Sequence, residues 1–288
     1  MTSRSSIPAN SEIKIRHILN HTAGFSYQSD DPVGRMYFEA GVTHGLCFDP
    51  LTIAETVVRM AELPLRFHPG AQFHYSMAVD VQGRLIEVLS GMTLDRFFEE
   101  RLFNPLGMKD THFFLPKGKG NRLVAVHEIE NGAVSGIADT EYGEPPSVYR
   151  TDYPVNGPQD HFAGGSGLCS TAEDYARFCQ MLLNGGNLNG EHILGRKTVE
   201  MMTTNTIGDL VINSQDEKFG FGFSVRTLLG NDELGSVGEY GWGGYWNTQF
   251  SIDPQEEMVI VFMSNLRPGH GDDLPTKLRV LAYQAIVD

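Results

Sequence analysis

A tyrosine lies between a turn and a helix-like run in the segment FHPGAQFHYSMAVDVQGRLIEVLSG, residues 67–91. Tyr75 follows a Pro-Gly turn and precedes an apolar helical pattern that starts near Asp80. A phenol in such a position can pass a proton to or from a neighbouring nucleophile. The segment therefore predicts a proton-relay role for Tyr75, and the nucleophile has to be sought elsewhere in the chain.

A serine with a lysine three residues later is the first candidate nucleophile. On a helix these positions share a face, so a neutral lysine can take the serine proton. The pair occurs once in the sequence, at Ser11 and Lys14. Ile13 and Ile15 alternate there with charged residues, which predicts a strand, and residues three apart on a strand point to opposite faces. We therefore interpret the Ser11/Lys14 pair as accidental.

Ser166, in the run GGSGL at residues 164–168, is the second candidate. A nucleophile elbow needs a glycine two residues before and two residues after the serine, and position 168 is a leucine. We interpret the run as a tight glycine turn that leads into a capped helix at Ser170.

Two histidines, His17 and His21, have the i, i+4 spacing that could hold zinc on one face of a helix. The zinc-protease pattern needs a glutamate directly after the first histidine, where this chain has Ile18, and no third ligand is evident. We interpret the pair as a helix cap and a core contact, and the sequence predicts neither a metal nor a cofactor.

Two glycines, Gly243 and Gly244, come just before a predicted strand in the run GWGGYWNTQFSIDP. Glycines at this place allow a substrate to lie against the strand backbone, whose N–H groups can stabilise an oxyanion. The same pattern is also typical of a glycine-rich loop that enters a hairpin, so both interpretations stay open at this point.

Helical periodicity dominates residues 12–205, the region that must position Tyr75. Four helices are predicted there, and each has a recognisable start or stop signal. They are LTIAETVVRMAEL closed by Pro64, DVQGRLIEVLS ending at Gly91, TLDRFFEERLF with Thr93 as N-cap and Pro105 beyond its end, and STAEDYARFCQMLLNGG with a capping box of Ser170 and Glu173.

The pattern changes in residues 206–288, the region that carries the two glycines. KFGFGFSVRTL, TQFSIDP and EMVIVFMSN are predicted strands, and LPTKLRVLAYQAIV is a predicted terminal helix. We expect one α+β domain over residues 1–288, with an antiparallel sheet flanked by helices and a largely helical block.

The composition limits the classes of partner. The chain has 22 Lys and Arg residues against 36 Asp and Glu residues, a formal net charge of -14. An acidic surface repels nucleic acid and anionic lipid, and no run of eighteen apolar residues is present, so we expect neither a nucleic-acid nor a membrane partner. The polar start has no secretory signal, and the odd count of three cysteines suits a reducing compartment, which together favour a cytoplasmic location.

Five segments in this order resemble the serine β-lactamase and penicillin-binding superfamily, in particular class C β-lactamases and the carboxylesterases related to them. They are IKIRHILNHTAGF, the Tyr75 segment, RLFNPLGMKDTHF, GGSGLCSTAEDYARFCQMLLNGG and GWGGYWNTQFSIDP. The resemblance implies a β-lactamase/transpeptidase-like fold and a small-molecule ester or amide substrate. The serine of a Ser-x-x-Lys helix would form an acyl-enzyme, with no cofactor.

The resemblance also implies roles for individual residues. Tyr75 matches the tyrosine that relays protons between serine, lysine and leaving group. Trp242, Gly243 and Gly244 match the family's third motif, and Tyr245 would offer its backbone N–H to the oxyanion.

Two departures from the lactamase pattern favour the esterase branch. This chain has Met77 where lactamases have the substrate-binding Asn of Tyr-x-Asn, and Trp242 where they have a lysine or histidine. Removing one polar contact and one positive charge disfavours anionic lactams and favours small acyl esters, although a true β-lactamase or peptidase remains the alternative.

The family's Ser-x-x-Lys helix lies several tens of residues before the segment that residues 13–25 match, whereas twelve residues precede Ile13. We therefore expect that the N-terminal part of the fold is missing and that the chain alone is catalytically incomplete. It would be a truncated serine esterase, a non-catalytic ligand-binding relative, or a protein in which Ser11 and Lys14 enter the site by an unusual route. A partner chain or self-association could also supply the missing helix.

Overall fold

The structure is a computed structural model, and it describes most of the chain. The described residues are 6–47, 51–137, 141–142, 148–212, 217–228, 234–267 and 273–287. The first five residues of the polar start, on which the leader prediction partly rests, lie outside this set. The chain divides into two compact units, Met1–Phe97 with Gly143–Gly167, and Phe98–Tyr142 with Leu168–Asp288.

Ten helices and twelve strands lie in the described part of the chain. The helices are α1 (Ile15–Leu19), α2 (Pro32–Glu39), α3 (Ile53–Ala61), α4 (Ala78–Ser90), α5 (Leu94–Phe98), α6 (Asn104–Leu106), α7 (Tyr153–Asn156), α8 (Ala172–Leu183), α9 (Arg196–Met202) and α10 (Leu274–Gln284). The strands are β1 (His127–Glu130), β2 (Ala133–Gly136), β3 (Glu141–Tyr142), β4 (Tyr149–Arg150), β5 (Asn187–Leu188), β6 (Glu191–His192), β7 (Glu217–Phe219), β8 (Ser224–Arg226), β9 (Tyr240–Gly243), β10 (Gln249–Asp253), β11 (Met258–Phe262) and β12 (Leu266–Arg267).

The first unit is helical, and its core forms around α4. Helix α4 packs against α1 and α3, and it ends at Gly91, whose φ of 71° gives the left-handed cap that the sequence predicts. Helix α3 begins with a capping box in which Thr52 and Glu55 satisfy each other's backbone N–H groups. The buried core includes Tyr37, which is only 1% exposed.

The second unit is built on a five-stranded antiparallel sheet with the strand order β11-β10-β9-β8-β7. Helix α8 packs on β10 and β11, and its buried side chains Met181 and Leu182 meet Ile252 and Tyr240 of the sheet in one core. The α+β class with antiparallel sheets and helices is therefore confirmed.

Four local predictions are wrong. The strand around Ile13 is not formed, because the backbone turns into α1 at Ile15, with the N–H of Lys14 bonded to the His17 side chain. The run KFGFGFSVRTL forms two strands, β7 and β8, because Gly222, at a φ of 95°, lies in the turn between them.

The other errors concern helix ends. Helix α5 passes into a π-helix at Glu99–Phe103 and then into α6, so Pro105 lies in the first turn of α6, where its missing N–H is tolerated. The cap of α8 is Thr171, which accepts from the N–H of Asp174, so the predicted Ser170 capping box is wrong by one residue.

Candidate functional site

Tyr75 lies in an extended stretch of the first unit, three residues before α4, and its side chain is 36% exposed. Backbone hydrogen bonds fix this stretch on both sides of the tyrosine. The N–H of His74 donates to the carbonyl of His21 at 3.0 Å, and the N–H of Met77 donates to the carbonyl of Ser26 at 3.1 Å. The phenol is therefore held on a rigid backbone while part of its surface faces solvent.

His21 forms one wall of the Tyr75 position. Its ring centroid lies 4.5 Å from that of Tyr75, and its Nδ1 accepts from the backbone N–H of Ser76 at 3.1 Å. Burial lowers the pKa of His21 to about 3, so the ring is neutral at physiological pH and its proton lies on Nε2. His21 therefore positions the tyrosine segment and is not a cationic acid.

The histidine pair has the structural roles predicted for it. His17 accepts from the N–H of Lys14 at the start of α1, and His21 is a buried contact. Because α1 ends at Leu19 and His21 has a φ of 56°, the two rings do not share a helical face. Across the described ranges, no cluster of three or more His, Cys, Asp or Glu side chains could hold a metal ion.

Asp80, on the first turn of α4, is a functional candidate that the sequence reasoning missed. The carboxylate is 1% exposed and accepts from the N–H of Gly164 at 3.1 Å. Burial raises its pKa to about 7, although hydrogen bonds from Gly164 and Gly165 act in the opposite direction. A charged residue among the apolar residues Ala78, Val79 and Val81 at the helix start was the signal that could have identified it.

The run 164–168 forms the predicted glycine turn. A Cβ on Gly164 would lie 1.9 Å from the carbonyl oxygen of Val79, so only glycine fits this approach to α4. The Ser166 hydroxyl donates to the carbonyl of His44 at 2.9 Å, so this hydroxyl makes a structural hydrogen bond within the first unit.

Trp242, Gly243, Gly244 and Tyr245 come together in one hairpin of the second unit. Trp242 and Gly243 end strand β9, where Trp242 is paired with Phe250, and the N–H of Gly244 donates to the carbonyl of Thr248 at 2.7 Å. Gly244 follows β9, and both glycines precede β10, the strand in front of which the sequence pattern places them. Gly243 is held in β9 by its pairing with Gln249 of β10.

Tyr245 lies in the turn of this hairpin, so its N–H belongs to the turn and not to a strand. The Arg267 guanidinium lies 4.0 Å from the centre of the Tyr245 ring and donates to the Tyr245 carbonyl at 3.2 Å. This carbonyl contact and the cation–π contact restrict the direction in which the turn N–H groups point.

A cavity of 280 Å³ adjoins the hairpin within the second unit. Its walls are mostly apolar and include Trp242, Gly243, Phe250, Tyr175 and Phe178. Tyr75 belongs to the first unit and these residues belong to the second.

Ser11 and Lys14 are both exposed, and Ser11 precedes α1. The two residues therefore do not lie on one helix. No helix in the described segments is long and apolar enough to cross a membrane.

Two curated bacterial relatives match most of the chain. An uncharacterized protein of Mycobacterium tuberculosis is 28% identical over 273 residues, which cover 89% of this chain and 63% of that protein. A Salmonella typhi protein, provisionally named a D-alanyl-D-alanine carboxypeptidase, is 29% identical over 277 residues, which cover 90% of this chain and 58% of that protein. The chain therefore spans about three fifths of the length of these relatives.

A solved structure and a family model agree with these matches. The structure of EstCE1, described as a hydrolase with promiscuous acyltransferase activity, superimposes with a TM-score of 0.81 at 26% identity, over 94% of this chain and 72% of EstCE1. The family model described as Beta-lactamase matches residues 6–285. The chain belongs to the β-lactamase family and has its hydrolase fold.

Proposed function

We propose that this chain carries the proton-relay tyrosine and the oxyanion backbone of a serine hydrolase that cleaves small acyl esters through an acyl-enzyme. The observation that carries the proposal is the setting of Tyr75. Its phenol is partly exposed, its backbone is fixed on both sides, and a neutral His21 ring lies against it. A positioned phenol of this kind can take a proton from a nucleophile and return it to a leaving group.

The preference for esters over lactams is supported by two positions. Met77 is 0% exposed and packs in the core of the first unit, so it offers no polar contact to a substrate amide. Trp242 borders a largely apolar cavity, which would leave a lactam carboxylate without a cationic partner at that position.

We also propose that Ser11 is not the nucleophile and that residues 1–288 alone are catalytically incomplete. Ser11 and Lys14 are exposed and do not share a helix. The activated serine would come from polypeptide outside residues 1–288, in the same protein or in a partner chain.

The test uses a fluorophosphonate probe, which labels activated serines, on residues 1–288. We expect no stoichiometric labelling of this chain alone. After a peptide with the family's Ser-x-x-Lys segment is added, we expect the probe to label the assembly, and a separate sample without the probe to hydrolyse a short-chain nitrophenyl ester. Labelling of Ser11 that Lys14→Ala abolishes would overturn the nucleophile proposal. An assembly that binds substrate but never labels would favour a non-catalytic ligand-binding protein.

The tyrosine is tested in the same assembly without the probe, because the fluorophosphonate blocks the serine that it labels. Tyr75→Phe should lower turnover by about 10²–10⁴-fold, the usual contribution of a proton-transfer group. Tyr283→Phe is the matched control, because it removes a hydroxyl from the terminal helix α10, where the phenol donates to Asp253. Full turnover in Tyr75→Phe would contradict the relay role.

A peptidase activity is the second candidate, because the Salmonella typhi relative is named as a carboxypeptidase. The same assembly should therefore be given a peptide that ends in D-Ala-D-Ala. Release of D-alanine at a higher kcat/KM than ester hydrolysis would replace the esterase proposal with the peptidase one.

A further inference from the structure

A second tyrosine, Tyr27, lies beside Tyr75 in the first unit. The ring centroids are 5.7 Å apart with an angle of 32° between the ring planes. Tyr27 follows the turn that carries His21, so one short segment supplies both rings that lie against Tyr75.

The Tyr27 hydroxyl and the Asp80 carboxylate converge on the glycine turn. A Cβ built on Gly165 would lie 2.9 Å from the Tyr27 hydroxyl and 3.3 Å from Asp80 Oδ2. The absence of a side chain at this position leaves room for the two polar groups. Asp80 and Tyr27 thus converge beside the glycine turn, and the Tyr27 ring lies against the ring of Tyr75.

We propose that Tyr27 is a positioning residue for Tyr75, and that its O–H donates to the Tyr75 oxygen and stabilises negative charge there while Tyr75 holds no proton. The inference rests on the proposed relay role of Tyr75 and extends it by one residue. Tyr27 does not touch the substrate in this scheme, since it acts through Tyr75.

The electrostatics around Tyr27 support the direction of this hydrogen bond. Burial raises the pKa of Tyr27 well above its usual value, and the charges of Tyr75, Asp80 and Tyr149 add to the effect. Tyr27 is therefore held in its protonated form, the form that can donate to the Tyr75 oxygen. On the other side of Tyr75, His21 is neutral and supplies no competing positive charge.

The test is a tyrosine ¹³Cζ NMR titration of residues 1–288, which reports the ionisation of each phenol without any need for catalysis. The chain has 10 tyrosines, and the Tyr27 and Tyr75 signals are assigned by their loss in Tyr27→Phe and Tyr75→Phe. The pH range is limited to that in which the far-ultraviolet circular dichroism spectrum is unchanged.

Tyr27→Phe should raise the titration midpoint of Tyr75 by roughly one pH unit, because the charged form loses a hydrogen-bond donor. Tyr153→Phe is the matched control: it removes a buried hydroxyl of the same unit that donates to the His161 carbonyl at 3.2 Å. It should leave the Tyr75 midpoint unchanged. An equal effect of the two variants, or no effect of Tyr27→Phe, would overturn the proposal.

Tyr75→Phe provides a second measurement if Tyr27→Phe does not fold. Loss of the acceptor should move the Tyr27 signal, and a Tyr27 signal identical to that of the unmodified chain would overturn the proposal. This result is independent of the esterase proposal, because Tyr75→Phe could lose turnover without any change at Tyr27, or change Tyr27 in a protein that hydrolyses nothing.

Discussion

Asp80 accepts a hydrogen bond at 3.1 Å from the N–H of Gly164, a residue 84 positions away in the sequence. The bond joins the first turn of α4 to the glycine turn that passes over it. The aspartate is buried, and its pKa of about 7 lies far above the ordinary value of 3.8. The stability of the protein must therefore depend on pH through this one carboxyl group.

Asp80→Asn should remove that dependence. The folded-state pKa is raised, so between about pH 4 and 7 the folded chain holds a proton that the unfolded chain has lost, and stability falls as pH rises by up to about 1.4 kcal/mol per unit. Above about pH 7 and below about pH 4 the contribution is flat. Asparagine keeps an oxygen that can accept from Gly164 and does not titrate.

The measurement is the free energy of unfolding in urea at pH 5 and pH 8, followed by far-ultraviolet circular dichroism. We expect Asp80→Asn to gain stability relative to the unmodified chain on going from pH 5 to pH 8. A difference between the two proteins that is constant with pH would show that Asp80 is not titrating in this window.

Gly164→Ala should destabilise the first unit. The added methyl group would lie 1.9 Å from the Val79 carbonyl oxygen, so the turn or α4 must shift, and overpacking of this kind costs roughly 1–3 kcal/mol. Gly136→Ala is the matched control, because a Cβ there meets nothing within 4 Å. Equal urea midpoints for the two variants would contradict the close approach.

Trp242→Lys should shift substrate preference in the assembly of this chain with the Ser-x-x-Lys peptide, measured without the probe. An ammonium group at the end of β9 would form an ion pair with a substrate carboxylate, which the indole cannot do. An ion pair at a partly exposed site contributes on the order of 1 kcal/mol. The ratio of kcat/KM for a neutral short-chain ester to that for a penicillin should fall roughly fivefold. An unmodified chain that already prefers penicillin would refute the esterase proposal.

Glu239 joins the terminal helix to the sheet of the second unit. It is 6% exposed and accepts from Arg226 of β8 at 3.2 Å and from Arg279 of α10 at 2.6 Å. Glu239→Ala leaves two guanidinium groups without their anion, and breaking a buried pair in this way costs about 3–5 kcal/mol.

The control for Glu239→Ala is Glu200→Ala, which removes the partner of Arg196 and Lys197 on the surface of α9 and should change stability far less, because solvent screens that pair. Tryptophan fluorescence suits this comparison, since both tryptophans of the chain belong to the second unit. Similar losses of unfolding free energy in the two variants would mean that the attachment of α10 to the sheet does not depend on Glu239.

Signals that act over a few residues could be predicted from the sequence. Gly91 marks the end of α4, and the Asp253-Pro254 turn joins β10 to β11, because in each case the local backbone preference decides. Strand β9 could not be predicted in the same way. Its glycines disfavour a strand, and only pairing with β8 and β10 forms it.

The candidate site shows the same difference between residues with local sequence signals and residues that long-range contacts bring together. Tyr75 could be found because its turn and helix flank it directly. Tyr27 could not, since it meets Tyr75 only in the folded chain, and Asp80 could not, since the approach of Gly164 to α4 buries it. The single-domain organisation predicted from the sequence stays a prediction.

His21 has a left-handed backbone, with a φ of 56°, and a side chain that the tyrosine needs. A residue with a Cβ pays roughly 1–2 kcal/mol for this conformation, and glycine would not. Glycine at this position would, however, also remove the buried ring and leave the Ser76 N–H without its acceptor. His21→Gly should therefore lose stability together with the contact to Tyr75, so the strained backbone and the ring are retained as one unit.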